Sequence, residues 1–159
     1  MAGETEAQRG RSERPQLVLC AAGLPAAEAA RRVCAAWQAA GGDRPVTLVL
    51  VPAAEHAALV ARLRPLILAL PPAPAPAGFR ARIRAALDDG GTLVAGGRRL
   101  PGGRAQPTLF LNLDPNARLL CDPAPAGPVL AVLRSEDGPR TAPGPRQQRR
   151  SLSEPNPDR

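Results

Sequence analysis

The sequence predicts an α/β fold: a partial three-layer domain with a mainly parallel sheet, flanked by disordered ends. Three observations carry this. Apolar, β-branched runs alternate with segments of helical periodicity, the pattern of strands joined by crossover helices. The strongest run, Val46 to Val51, is apolar almost throughout, as in a strand covered on both faces. The ends are polar, charged and aromatic-free, a composition that buries too little surface to order a chain.

Residues 1–13 form the expected disordered lead, 14–134 the domain and 135–159 an Arg- and Pro-rich tail, also expected to be disordered. Within the domain, Leu17 to Cys20 makes a short strand. Pro25 then opens a helix, where its fixed φ and missing N–H are tolerated. Ala30, Val33, Trp37 and Ala40 share one face of that helix, and Gly41 and Gly42 end it. After the Val46–Val51 strand a helix runs from Ala53 to Arg64, with Leu59, Val60 and Leu63 inward. Pro65 is expected to stop it, because proline removes an intrahelical hydrogen bond. "LILAL" then reads as a strand or a buried helical turn, and "PPAPAPAG" as a semi-extended connector without chemistry. Phe79, Ile83, Ala86 and Leu87 mark a third helix, ended at Asp88–Gly91. "TLVAGG", "PTLFLNL" and "GPVLAVLR" are strands, and the Arg-Gly loop between the first two is hairpin-like.

The chain has 159 residues, enough for one modest core. That core is thin, since aromatics are 2% and Ala supplies much of the apolar count. The net charge is +7, yet all 21 basic residues are Arg and they are scattered outside the tail. A basic nucleic-acid binder is therefore an alternative but a poorly supported one. Three Cys residues (Cys20, Cys34 and Cys121) without a CxxC pair form neither a disulfide framework nor a zinc site. The lone His56 packs at the edge of an apolar helix face. With no signal peptide and no apolar run near membrane-span length, a cytoplasmic setting and no membrane association are expected. Phosphate-loop, dinucleotide-fingerprint, zinc-protease and serine-hydrolase motifs are absent. No metal site is expected.

The order of motifs nonetheless resembles a known family. "AALDDGGTLVAGGRRL…QPTLFLNLDPNARLL…GPVLAVLR" is similar to the later catalytic-domain segment of aldehyde dehydrogenases. "RPQLVLCAAGLPAAEAA" resembles that family's earlier "SP-x-I-V-x-x-D-A-D-L-x-x-A-A", with Pro15, Leu17, Val18, Ala22, Leu24, Ala26 and Ala27 in register. The "AAW" of the first helix and Pro107 to Pro115 look most like the two-module family-16 branch, whose animal members can lack the catalytic Cys.

The resemblance implies a site that the residues do not fill. The family's "N-x-G-Q-x-C" falls on residues 39–44, so the nucleophile position holds Arg44 and the oxyanion-hole Asn position holds Ala39. Arg cannot form a covalent intermediate on a carbonyl, and Ala offers no amide donor. Counting back to the family's general base gives Arg9, and the cofactor-ribose Glu position holds Ala124. Cys34 lies ten residues before the loop position. These departures imply a protein that is not an enzyme and binds no NAD; it works by protein association, or has no role of its own if the chain is a fragment of a longer product. The alternative they leave open is a subunit of an NAD-dependent aldehyde dehydrogenase completed by a partner chain. In the tail, Arg150 to Pro155 fits the pattern that 14-3-3 proteins bind when Ser153 is phosphorylated.

Overall fold

The computed structural model describes residues 16–41 and 44–135, with the backbone of 147–151. The lead, Asp43 and Ser153 lie outside the described residues.

Among the described residues, nine strands and four helices follow one another as β1 (Gln16–Cys20), α1 (Ala26–Ala40), β2 (Thr47–Val51), α2 (Ala53–Ala69), β3 (Ala73–Pro74), α3 (Phe79–Asp88), β4 (Thr92–Ala95), β5 (Arg99–Leu100), β6 (Arg104–Ala105), β7 (Thr108–Leu111), α4 (Arg118–Cys121), β8 (Val129–Arg134) and β9 (Gln147–Ser151). Six strands form the main sheet in the order β4-β7-β8-β2-β1-β9. All neighbours are parallel except β4, which runs antiparallel to β7 at one edge. A small antiparallel sheet, β3-β6-β5, carries the expected hairpin.

Strand alternation sorts the core into two layers. Leu17, Leu19, Val49, Val51, Leu130 and Val132 face α1 and α2. Val18, Leu48, Phe110, Ala131 and Leu133 face α3 and α4. Helices on both faces are what a parallel sheet requires, because crossovers must bury both of its sides. The three-layer expectation is met.

Two local expectations need correction. Pro65 does not stop a helix: α2 continues through it to Ala69. His56, Leu59, Leu63 and Ile67 form one buried stripe along α2, and burying Ile67 requires the extra turn. Proline's missing hydrogen bond, about 3 kcal/mol in a helix interior, is offset by burial of such side chains at about 1.5–3 kcal/mol each. The tail is not wholly without structure either. Gln147–Ser151 adds β9 to the open edge of β1, from Gln16↔Gln147 to Cys20↔Ser151. Backbone pairing at an edge asks little of side chains, so a polar segment can supply it.

Two further features hold the loops. Gly96 sits at φ 76°, and a Cβ there would lie 2.1 Å from the Pro107 carbonyl oxygen. Only glycine permits that approach. Beside it, the N–H of Gly97 donates to Thr108 Oγ1 (2.8 Å), and that hydroxyl donates to the Gln106 carbonyl (2.9 Å). Thr108 is fully buried and fully satisfied, which gives the "GG…PT" spacing a structural reason. Among the described residues no helix is long and apolar enough to cross a membrane.

Two outcomes are expected. Pro65 is exposed, so Pro65→Ala restores a hydrogen bond without disturbing the core. It should stabilise the chain by about 1–2 kcal/mol in urea unfolding; a loss of stability would contradict the continuous helix. Cys34 is buried, and burial raises its thiol above the ordinary value. It should stay protonated and resist alkylation in the folded chain while exposed Cys121 reacts. Because the folded value is the higher one, this contribution to stability is complete below the unfolded thiol's pKa, about 8.5, and is lost as pH rises through the folded value. Mass-resolved labelling that modifies Cys34 as fast as Cys121 would refute it.

Candidate functional site

The segment expected to be the site lies at the amino-terminal rim of the parallel strands. There α1 ends, β2 begins, and the turns leading into β7 and β8 converge. Gly41 ends α1 at φ 76°, donating its N–H to the Gln38 carbonyl at 3.3 Å. Glycine tolerates that positive φ without a side-chain clash. Arg44 is half-buried just beyond it, and its Nε donates to the Ala40 carbonyl at 3.2 Å. The guanidinium therefore ties Arg44 to the end of α1. Helix carbonyls at a C-terminus lack intrahelical donors, and Arg supplies one here.

The structure brings two of the marked segments together. The N–H of Ala126 donates to the Arg44 carbonyl at 3.0 Å. The Ala124–Pro128 stretch is thus fastened to Arg44, 82 residues earlier in the sequence. Ala124 is half-buried and donates its N–H to Asp122 Oδ1 at 2.9 Å. Its carbonyl, like that of Pro125, accepts from Arg82, which also pairs with Asp122 at 3.4 Å. Ala39 is exposed on α1.

Beside this junction lies a cleft of about 270 Å³. Gly41 and Gln38 form one wall, Gly127 and Pro128 another, and Trp37 and the Leu70–Pro74 connector enclose it. The connector read as chemically silent is therefore a wall of the cleft. Its prolines have carbonyls but no N–H groups, and arginines satisfy those carbonyls. Arg99 Nη1 donates to Pro76 O at 2.7 Å, and Arg104 Nη2 to Pro72 O at 2.8 Å. Trp37 and Gln38 were legible in the sequence as parts of a helix face, but nothing local marked them as cleft residues. Neither Cys34 nor His56 lines this cleft. Cys34 is packed in the layer between α1 and the sheet. His56 is buried at the opposite rim, at the start of α2. Among the described residues no cluster of His, Cys, Asp and Glu could hold a metal ion.

No protein-family model matches the chain, and no curated protein sequence matches it. Solved structures do. A 1-pyrroline-5-carboxylate dehydrogenase from Thermus with bound NAD matches at 20% identity and TM-score 0.63, over 76% of this chain and 27% of its own. Lactaldehyde dehydrogenase from Escherichia coli matches at 17% and 0.59, over 76% and 29%. An NAD-dependent benzaldehyde dehydrogenase from Corynebacterium glutamicum matches at 18% and 0.59, over 78% and 30%. The chain spans less than a third of each of these proteins.

This overturns one expectation. The residues at positions 39, 44 and 124 implied a degenerate site and a protein that is not an enzyme. The solved structures named above are all dehydrogenases, and nothing in this structure shows a degenerate site. Three positions within so small a share of a dehydrogenase do not decide catalysis. The described domain shares its fold with part of these dehydrogenase structures.

Proposed function

We propose that the chain serves as a catalytic-domain segment of an NAD-dependent aldehyde dehydrogenase, working in association with a partner chain that supplies the rest of the site. The observation that carries this is the fastening of Ala126 to Arg44 beside a walled cleft. Two distant segments are held in fixed relation at one rim, as a binding site needs. The span of 27–30% of the related dehydrogenases supports completion by other residues.

The role of this chain's own residues follows from the walls. Trp37, Pro72, Pro107 and Pro128 present apolar surface and exclude water, which suits the organic part of an aldehyde. Gln38 offers the polar side chain of the cleft. Arg44 is tied to the end of α1 through Ala40. The described residues do not fit a dinucleotide: no glycine-rich turn follows a strand into a helix N-terminus, and the prolines lining the cleft offer no N–H to a phosphate. NAD, which would accept the hydride, is accordingly assigned to the partner.

A nucleic-acid role has less support. Arg44, Arg64, Arg82, Arg99 and Arg104 spend hydrogen bonds on backbone carbonyls, and Arg32 and Arg118 on carboxylates.

The test is reconstitution with an aldehyde dehydrogenase subunit from the same cells, followed by aldehyde-dependent NADH formation. Activity should require both chains. Gln38→Trp, an exposed change that fills the cleft, should lower it by about tenfold or more with the assembly intact. Activity indifferent to the presence of this chain would overturn the proposal.

A further inference from the structure

The opposite rim of the sheet carries a second cavity, of about 380 Å³. Its position follows from the topology. The chain leaves β2 through α2 on one face of the sheet, and leaves β7 through α4 on the other. β8 lies between β2 and β7. The two departing connections therefore diverge above the carboxyl end of β8 and leave a crevice there. In open α/β sheets such a divergence is where ligands bind. The cavity occupies it: His56 comes from α2, Asn112 to Pro115 from the turn after β7, and Val132 to Arg134 from the end of β8.

The lining is graded. Val132, Leu133, Leu113 and His56 are buried, whereas Arg134 and Asp114 are exposed. The floor is thus mainly apolar and the charges stand at the mouth. Two of the acids are not equivalent. Asp89 is spent on Arg118, which reaches it through Nε at 3.1 Å, Nη2 at 3.1 Å and its backbone N–H at 3.0 Å. Those hydrogen bonds hold its carboxyl below the usual range. Asp114 commits only Oδ1, to the N–H of Asn116 at 2.7 Å. Arg134 makes no ion pair among the described residues. His56 has a partner of its own and is not counted as free. Asn112 takes the left-handed conformation at φ 57°, tolerable for Asn, and its Nδ2 donates to Thr92 Oγ1 at 3.1 Å. That conformation turns the chain from β7 into the crevice wall.

One uncommitted cation and one uncommitted carboxylate oxygen therefore share a mouth above an apolar floor. A simple anion would meet Asp114, and a simple cation would meet Arg134. A molecule with both charges on one end and an aliphatic group on the other satisfies all three surfaces. We propose that this crevice binds a free α-amino acid with an aliphatic side chain, carboxylate toward Arg134, ammonium toward Asp114 and side chain on Leu113 and Leu133. The site is independent of the cleft at the other rim.

Calorimetric titration of the full chain with L-leucine tests it, with isocaproate and isoamylamine as the analogues lacking the ammonium and the carboxylate. L-leucine should give saturable heat, and each analogue should bind about tenfold more weakly or worse. Arg134→Gln and Asp114→Asn should each weaken L-leucine by a similar factor. Both residues are exposed, and Asn keeps the acceptor for Asn116, so circular dichroism should be unchanged. No saturable heat would overturn the proposal. So would an isocaproate affinity equal to that of L-leucine, which marks an anion site, or an equal isoamylamine affinity, which marks a cation site. Unaltered L-leucine binding by both variants would refute it as well.

Discussion

The structure depends on one constraint: the central strands are desolvated on both faces. Val18 and Leu19, adjacent in β1, are each essentially without exposure, on opposite sides of the sheet. Such a strand cannot be joined to a parallel neighbour by a tight turn. The chain must cross from one end of the sheet to the other, and the crossing elements must cover a face. α1 and α2 cover one, α3 and α4 the other. Every loop is thereby sent to one of two rims. The two cavities are consequences of that sorting, since each lies where connections converge or diverge at a rim.

The proline content poses a second problem, which arginine solves. Proline residues between α2 and α3 carry acceptors without donors, so the segment cannot satisfy itself by ordinary pairing. Arg99 and Arg104, both on the small hairpin sheet, reach its carbonyls. The Ala75 N–H donates to Gly103 O at 2.9 Å and completes the seam. Arg82 does the same for Ala124 and Pro125. Part of the basic charge that suggests a phosphate surface from composition is internal carpentry. Guanidinium suits it, having five donors in a planar fork and no acceptor.

Much of this was legible in the sequence, and the misses have physical causes. The buried strands announced themselves by continuous β-branched runs, and α1 and α3 by their apolar faces. Pro65 misled because a local rule was set against a tertiary gain: burial of Leu63 and Ile67 on either side carries the helix through. β9 was illegible because an edge strand can be held by backbone bonds that leave no apolar period in Gln147–Ser151. α4 is a single turn whose buried residues, Leu119 and Leu120, are too few to show a repeat. The family resemblance marked Arg44 and the Ala124–Pro128 stretch, which the structure joins by one backbone bond. The bond between them spans too much sequence for spacing to reveal, and the Pro-rich wall was invisible because enclosure is a property of three dimensions. Catalysis was read from side chains at a few single positions, which is where residue identity is asked to say more than it can.

The two rims differ in chemistry because of what immediately borders the strands. At the amino-terminal rim Pro107 precedes β7 and Pro128 precedes β8, and both face the cleft. A strand's amino end ordinarily offers N–H groups, but proline removes them at these two positions. The N–H of Thr108 is already given to Pro128 O at 2.8 Å, and that of Ala126 to Arg44 O. What remains is apolar wall and committed backbone, a surface for an uncharged organic group rather than for phosphate. At the carboxyl-terminal rim the strand ends pass directly into Arg134 and into the Asn112–Asp114 turn, leaving charge at the mouth. One sheet therefore carries a dry cleft at one end and a charged crevice at the other. A ligand suited to either would pay a desolvation penalty at the other, so the two cavities discriminate by polarity before any finer contact is made.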